Sequence, residues 1–287
     1  METWYCGRFR LPLHQRTYIM GIVNATPDSF GGDVRTGEAP LDRALRLADE
    51  GADILDIGGE STRPGAAKVS AEDEWARIGP LFEALPGRLN IPISVDTTKA
   101  EIARRALLCG AAIVNDISGA TFDPKMLESV AATECGLVLM HLRGTPWTME
   151  WSRRAGQAGA SDDVIGEVLA FWMHRIRSAK DAGIAAERIA LDAGFGFGKD
   201  LKENLELLRR GGELAALGFP TLSGTSRKST IGKLLDNVPP EARLWGTAAS
   251  VTLAIAGGAD IVRVHDVKEM RQVVRVADAV VRGREAG

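Results

Sequence analysis

The chain has 287 residues and a formal net charge of -3, with 25% charged and 45% apolar residues. This is the balance of an ordinary globular protein, and it excludes the strongly basic composition of a nucleic-acid-binding domain. The amino terminus carries charged residues, and no stretch approaches 18 uninterrupted apolar positions, so we expect neither a signal peptide nor a membrane partner. The three cysteines lack metal-ligand spacing and do not form an even disulfide set, which predicts a reducing, cytoplasmic location.

In chain order, residues 1–17 are expected to form a short extension packed on a barrel, and residues 18–287 to form the barrel domain. Eight short apolar runs recur along this second part, separated by longer segments with apolar positions at helical spacing. Such alternation of strand and helix favours parallel pairing, and eight units predict a closed α/β fold, the (β/α)8 TIM barrel. The predicted strands are Tyr18–Val23, Ile54–Ile57, Ile93–Val95, Ile113–Val114, Leu137–Met140, Ile189–Leu191, Thr221–Gly224 and Ile261–Val264.

The joins between helices and strands follow a pattern of their own. Gly51, Gly110 and Gly258 each stand between a helical pattern and the next strand, where a left-handed glycine can end the helix.

The last helix is expected to pack on the barrel through one apolar stripe. Its members are Met270, Val273, Val274, Ala277, Val280 and Val281.

Polar residues follow the predicted strands, at the barrel end where active sites of this fold lie. Asp96, Asn115 and Asp192 come from three strands, and barrel closure would place them around one cavity. Carboxylates that accept paired N–H bonds beside an amide suit a flat polar heterocycle. The alternative for each residue alone is a cap for the following helix.

A second set of residues is suited to an anion. Thr62 and Arg63 follow strand two, Lys228 and Ser229 follow strand seven, and Arg263 and His265 share one side of strand eight because strand side chains alternate. The alternatives are structural ion pairs for the two arginines, a satisfied core histidine for His265, and a Schiff-base role for Lys228.

Residues 194–199 alternate glycines with aromatic residues, so the chain can turn tightly while Phe197 lines the pocket. The segment lacks the spacing of a P-loop or a dinucleotide fingerprint. Met140, at the end of strand five, is predicted to contact a planar ring, and ordinary core filling is the alternative.

Eight segments in order carry a family resemblance. They are Gly21–Phe30, Asp56–Gly65, Ser94–Thr97, Asn115–Ile117, Met140–His141, Leu191–Lys199, Gly224–Ser229 and Arg263–Val267. With these segments the chain resembles the dihydropteroate synthase family of pterin-binding barrels from about Tyr18 to the last helix. The resemblance implies condensation of 6-hydroxymethyl-7,8-dihydropterin pyrophosphate with 4-aminobenzoate in folate synthesis, in a homodimer that needs magnesium.

The resemblance also implies roles for single residues. Asp96, Asn115, Asp192 and Lys228 would hold the pterin. Met140, Phe197 and Gly224 are further candidate substrate contacts beside the roles that the resemblance implies. Arg63, Arg263 and His265 would contact pyrophosphate, Thr62 and Ser229 would lie near aminobenzoate and phosphate, and Asn24 would be associated with Mg2+. Lys228, Arg263 and His265 are the residues expected to act in catalysis.

The chain departs from the family pattern at two places. The first loop reads Ser29-Phe30-Gly31-Gly32-Asp33, so its acidic residue has moved, and Ala193 stands where a proline is frequent. Two rival functions follow. A methyltetrahydrofolate:corrinoid methyltransferase would share the pterin-binding residues, but it has no need of the cations for pyrophosphate. A non-catalytic paralogue would bind the pterin without turnover.

Overall fold

A computed structural model describes residues 1–25, 38–62, 67–146 and 161–283. Eight parallel strands close into a barrel in the order in which they follow one another along the chain. This confirms the predicted (β/α)8 barrel. The barrel strands are β3 (Tyr18–Asn24), β4 (Ile54–Gly58), β5 (Ile93–Asp96), β6 (Ile113–Asp116), β7 (Gly136–Met140), β8 (Ile189–Asp192), β9 (Thr221–Ser223) and β10 (Ile261–Val264).

A two-stranded hairpin precedes the barrel. Strands β1 (Thr3–Cys6) and β2 (Phe9–Pro12) pair antiparallel around Gly7, whose positive φ suits a tight turn. Trp4 is fully buried against interior side chains at the amino ends of the barrel strands, and its indole N–H donates to the carbonyl of Arg188 at 3.0 Å. The hairpin therefore closes the barrel end opposite the strand carboxyl ends.

Helices follow the barrel strands and cover them. They are α1 (Pro40–Asp49), α2 (Ala71–Ala84), α3 (Ala100–Leu108), α4 (Met126–Ala131), α5 (Val164–Asp181), α6 (Leu201–Arg209), α7 (Gly211–Ala215), α8 (Ser229–Leu234), α9 (Leu244–Ala256) and α10 (Val267–Arg282), with short 3-10 turns at Ala186–Arg188 and Pro240–Arg243. One large apolar cluster joins the inner faces of these helices to the outward side chains of the strands. None of the helices within the described ranges is long and apolar enough to span a membrane.

The helix ends confirm one prediction and correct another. Gly51, Gly110 and Gly258 have φ of +99°, +99° and +91°, as expected for left-handed residues after a helix. In α10 the predicted apolar stripe is buried only in its first part, where Met270, Val274 and Ala277 pack on the barrel. The carboxyl end of the stripe was wrongly assigned: Val280 is 79% exposed and Val281 is 44% exposed, although Arg282 at the end of α10 still donates to Thr17 and to the carbonyl of Ala259.

Strand alternation decides which side chains enter the barrel. Mainly aliphatic side chains fill its lower interior next to the hairpin, whereas on several strands the inward position two residues further along is polar. Asp56, Ser94, Asn115, Asp192 and Arg263 are such positions. The carboxyl half of the barrel is therefore a polar cup over an apolar base.

Candidate active site

A buried ionic cluster joins four strands at the centre of this cup. Arg263 donates through Nε to Asp56 Oδ2 at 2.6 Å and through a terminal nitrogen to Asp96 Oδ2 at 2.7 Å. The amide of Asn115 donates to the same Asp56 oxygen at 3.0 Å. Burial raises the pKa of Asp96, since Arg263 compensates only part of the desolvation. One arginine thereby fixes the relative positions of residues that are far apart in the sequence.

Asp192 and Arg263 flank the backbone at Gly224. A Cβ placed on Gly224 would lie 3.9 Å from Asp192 Oδ2 and 4.0 Å from Arg263 Cβ, so both side chains border the same small space. Asp192 Oδ1 accepts the backbone N–H of Gly194 at 2.7 Å. Burial raises the pKa of Asp192, and this hydrogen bond together with Lys228 opposes the rise. The predicted convergence of distant strand ends at one rim is thus present.

Lys228 lies beside this carboxylate, just before α8. Burial and the neighbouring Arg263 lower the pKa of its ammonium to about 7, while Asp192 and Asp96 favour the charged form. Its Nζ stands 3.8 Å from the centre of the Phe197 ring, a cation–π contact. Ser229 follows directly as the first residue of α8 and is partly buried.

An apolar wall lies on the same side of the cup. Phe197, Met140 and Ile117 form a small buried cluster that is separate from the main core, with Leu142 packed against it. The residues therefore pair a flat apolar surface with carboxylates, an amide and an ammonium. A planar heterocycle with an N–H edge fits such an arrangement.

The rim next to this pocket is rich in positive charge. His265 is partly buried, and its Nδ1 lies 3.0 Å from the Ser226 hydroxyl oxygen, which also accepts the His265 backbone N–H at 3.1 Å. Burial lowers the pKa of His265 well below its usual value, and four surrounding cations lower it further. These cations are Arg227, Arg263, Arg43 and Lys228. Asp266 pairs with Arg227, and Asp56 and Asp96 pair with Arg263, so carboxylates compensate part of this positive charge. The remaining cationic character suits an anion such as a phosphate group.

Asn24 and Thr62 lie at the mouth of the barrel. Asn24 ends β3 with an exposed side chain on the strand that pairs with β10. Thr62 and Asp96 line one cleft, together with the hydroxyl side chains of Ser61, Thr97 and Thr98. Arg63, also predicted to bind substrate, lies outside the described residues, as does Asp33 of the first loop.

The oxygen atoms at the mouth of the barrel are potential ligands for a magnesium ion. An amide oxygen such as that of Asn24 is a hard ligand, and Mg2+ is usually held by few protein oxygens when phosphates supply others. In the described ranges, no group of three or more histidine, cysteine, aspartate or glutamate side chains could hold a metal ion. The amide of Asn24 is compatible with magnesium that is held mainly by the phosphate oxygens of a substrate.

A lysine links the Asp96 strand to the segment that contains Thr62. Lys99 Nζ donates to Glu60 Oε2 at 2.6 Å and to Glu74 Oε2 at 2.5 Å. The other oxygen of Glu60 accepts the backbone N–H of Val69 at 2.8 Å. Glu60 lies two residues before Thr62. Through Lys99 and Val69, it connects this part of the chain to the segment after β5 and to the segment before α2.

A second, partly buried network supports the β7 side of the cup. Arg143 donates to Glu167 and, at 2.6 Å, to Glu203 Oε1. His141 Nε2 lies 3.3 Å from Glu167, and burial lowers the pKa of His141 to about 4. His141 follows Met140 directly, so this network fixes the strand end that carries part of the apolar wall.

Sequence reasoning missed Asp56 and Arg43. Asp56 is fully buried and joins Asn115 to Arg263, and its signal was a carboxylate at an inward position of an otherwise apolar strand. Arg43 donates to the carbonyls of Ile22 and His265 at 3.3 and 3.4 Å. No pattern in the sequence distinguishes Arg43 from other arginines on helices, because its position follows only from the docking of α1 on β3 and β4.

Comparisons with known proteins agree with this geometry. The family model described as pterin binding enzyme matches residues 20–265. A dihydropteroate synthase of Synechocystis sp. is 50% identical over 268 residues, which cover 93% of this chain and 91% of that protein. A Xanthomonas albilineans dihydropteroate synthase with 4-aminobenzoic acid has a TM-score of 0.87 and 42% identity, covering 97% of this chain and 98% of its own. A structure of that species' enzyme with 7,8-dihydropteroate has a TM-score of 0.83 and 38% identity, covering 98% of both chains.

Proposed function

The chain belongs to the pterin binding enzyme family, and from this membership we infer that the protein is a dihydropteroate synthase. It condenses 6-hydroxymethyl-7,8-dihydropterin pyrophosphate with 4-aminobenzoate and yields 7,8-dihydropteroate and pyrophosphate in folate biosynthesis. The structural observation that best supports this function is that Asp192 and Arg263 lie on either side of Gly224. There Asp192 and Arg263, from neighbouring parts of one rim, border the same pocket.

The pterin ring fits the polar cup beside the apolar wall. We propose that Asp192, Asn115 and Asp96 bind the N–H and ring-nitrogen edge, and that Lys228 donates to the ring oxygen or a ring nitrogen. Phe197 and Met140 would cover one face of the ring. Hydrogen bonds between such charged groups and a buried ring contribute about 1.5–3 kcal/mol each.

The cationic rim fits the leaving group. In the proposed reaction, the bond between the pterin methylene carbon and the pyrophosphate oxygen breaks, and its electron pair leaves with pyrophosphate. Arg263 and His265 would stabilise that charge, with Arg43 adjacent and Arg63 expected to contribute. The amine of 4-aminobenzoate then forms the carbon–nitrogen bond and loses a proton. Because the arylamine is already a neutral nucleophile, no strongly basic side chain is required.

Magnesium has a restricted part in this proposal. When bound, it would neutralise charge on the pyrophosphate, and Asn24 is the residue we propose to hold it. Thr62 and Ser229 are proposed to border the aminobenzoate and phosphate positions, one on the cleft beside Asp96 and the other next to Lys228.

A single assay tests the function. Purified protein is mixed with magnesium, the pterin pyrophosphate and 4-aminobenzoate, and 7,8-dihydropteroate is sought by mass spectrometry. Formation of product with release of pyrophosphate is the expected result. Binding of the pterin pyrophosphate without product, over a range of pH and salt, would instead indicate a non-catalytic paralogue. Failure of free pyrophosphate to compete with the pterin substrate would favour the methyltransferase.

We propose that the protein is a homodimer in the cytoplasm. Helices α8 to α10 expose several large apolar side chains, among them Trp245 at 80% and Val276 at 68% exposure, a pattern typical of an interaction surface. Trp245→Glu should yield a monomer in sedimentation, whereas Leu108→Glu, on α3 at the other side of the barrel, should not. The three free cysteines support a reducing compartment.

A further inference from the structure

Lys199 is a fully buried lysine with no part in the proposed chemistry. Its Nζ donates to the backbone carbonyls of Gly194 at 3.0 Å, His141 at 3.3 Å and Phe197 at 3.4 Å. An ammonium has three N–H donors, so its capacity is matched by three acceptors. Two of these carbonyls belong to the loop Gly194–Gly198, and the third belongs to the end of β7.

This loop needs such support because of its composition. Gly194, Gly196 and Gly198 all have positive φ, between +67° and +85°. Glycines reach these conformations without strain, but they also leave the chain many alternative conformations. A Cβ on Gly194 would lie 1.9 Å from the His141 carbonyl oxygen, so the loop is also packed against β7.

The loop carries the ring that faces Lys228. Phe197 belongs to the apolar wall with Met140 and Ile117, and its centroid lies 3.8 Å from Lys228 Nζ. A displacement of the loop would therefore move both the wall of the pocket and the surroundings of the lysine that is proposed to hold the pterin.

We propose that Lys199 is a positioning residue for the pterin pocket: it ties Gly194–Gly198 to the end of β7, so that the Phe197 ring is preorganised against Lys228. This rests on the proposed function only in naming the pterin as the ligand. Preorganisation of a wall on a glycine-rich loop increases affinity, because the ordering cost is met before the ligand binds.

Burial of the charge itself supports a specific role. Burial and the neighbouring Arg143 lower the pKa of Lys199 to about 7, although Asp192, Glu167 and Glu203 favour the charged form. A neutral side chain would fill the same space without desolvating a charge. What a neutral apolar side chain cannot provide is hydrogen bonds that converge on one loop from inside the fold.

The test compares Lys199→Met with Lys202→Met, which removes an exposed lysine three residues away. The dissociation constant of the pterin pyrophosphate, measured by calorimetry without aminobenzoate, should rise about 10-fold in Lys199→Met. The KM for 4-aminobenzoate should change less than about twofold if the effect is confined to the pterin pocket. Lys202→Met should match the wild type.

A double-mutant cycle assigns the effect to the loop. If Lys199 acts through Phe197, Lys199→Met in a Phe197→Leu background should weaken pterin binding by less than about twofold. If the two substitutions instead multiply their effects, the proposal is overturned. It is also overturned if Lys199→Met lowers the thermal midpoint but leaves the pterin dissociation constant unchanged, since that result marks a structural role only.

If Lys199→Met does not fold, a more conservative variant still tests the proposal. Lys199→Gln keeps two N–H donors without the charge, and it should show a smaller weakening of pterin binding in the same direction. Unchanged pterin binding in this variant contradicts the proposal. Because binding is measured without turnover, absence of dihydropteroate from the wild type would reject the proposed reaction alone and leave this test in force.

Discussion

At the scale of single residues, the site depends on shared partners rather than on isolated groups. One oxygen of Asp56 accepts from both Asn115 and Arg263, and Arg263 also binds Asp96. Burial raises the pKa of Asp96 and lowers that of Lys228 to about 7, so an acid and a base with displaced pKa values face one pocket. Such displacement is typical of functional sites.

Lys228→Ala removes the ammonium proposed to donate to the pterin. We expect turnover to fall about 10-fold to 150-fold, which corresponds to the loss of one charge-assisted hydrogen bond of about 1.5–3 kcal/mol. Steady-state kinetics with both substrates measure the change. Unchanged rates would show that Lys228 does not contact the reacting substrate.

The pH dependence follows from the same lysine. Its pKa of about 7 means that Lys228 is protonated below that pH and neutral above it. The charged form is the stronger donor and attracts pyrophosphate, so kcat/KM for the pterin pyrophosphate should decrease as the pH rises through 7. Lys228→Arg, which keeps the charge, should lose this alkaline limb. A limb retained in that variant would have to arise from another group with a pKa of about 7, and Asp96 and Lys199 are the two candidates.

At the scale of elements, strand ends and the turns after them place the chemistry. Several barrel strands, such as β6, β8 and β10, bury apolar residues in their first half and offer a polar side chain further along, so one short element serves both stability and binding. The loop after β8 has a different design. Its glycines allow close packing on β7, and polar groups at Asp192, Lys199 and Asn204 hold its backbone.

Comparing Gly194→Ala with Gly183→Ala should distinguish the strain of a positive φ from a steric clash of the added Cβ. Gly194 has φ of +67° and its Cβ would overlap the His141 carbonyl, so we expect a loss of about 2–5 kcal/mol in unfolding free energy and weaker pterin binding. Gly183→Ala is the control, because Gly183 also has positive φ but no atom within 4 Å of the added Cβ. It should cost only about 1–2 kcal/mol and leave binding unchanged. Urea unfolding and calorimetry measure both, and equal effects would exclude the predicted conflict.

At the scale of the whole molecule, the two ends of the barrel have different tasks. The hairpin β1–β2 seals the amino-terminal end with Trp4, while the carboxyl end keeps the polar cup. Ion pairs at the cup desolvate charges and contribute less to stability than apolar packing of similar volume. We therefore expect the closed end to supply stability and the open end to supply chemistry.

Trp4→Ala tests this division. The side chain is fully buried and donates a hydrogen bond, so its loss should reduce the unfolding free energy by about 3–5 kcal/mol. The kcat of the folded fraction should remain within about twofold of wild type, since Trp4 lies at the end of the barrel away from the site. A large fall in kcat without a change in stability would contradict the separation of the two ends.

The order of strands and helices, the closure of the barrel and the end of the molecule that carries the polar residues were all determined by the sequence alone. Hydrophobic periodicity is a local property, and parallel strands joined by helices have few ways to close. The left-handed glycines before strands were predictable for the same reason, since only glycine adopts that conformation readily at the end of a helix. The resemblance of eight short segments then named candidates such as Asp192 and Lys228.

Which of these residues are partners depends on how distant elements pack in three dimensions. Asp56 and Arg263 are 207 positions apart, and no local pattern specifies that one carboxylate oxygen serves both Arg263 and Asn115. The exposure of Val280 and the docking of Arg43 against the backbone of His265 also depend on where helices end and pack in three dimensions. Periodicity determines the face that an element buries, whereas pairing of charges depends on distances of a few ångströms between elements remote in the chain.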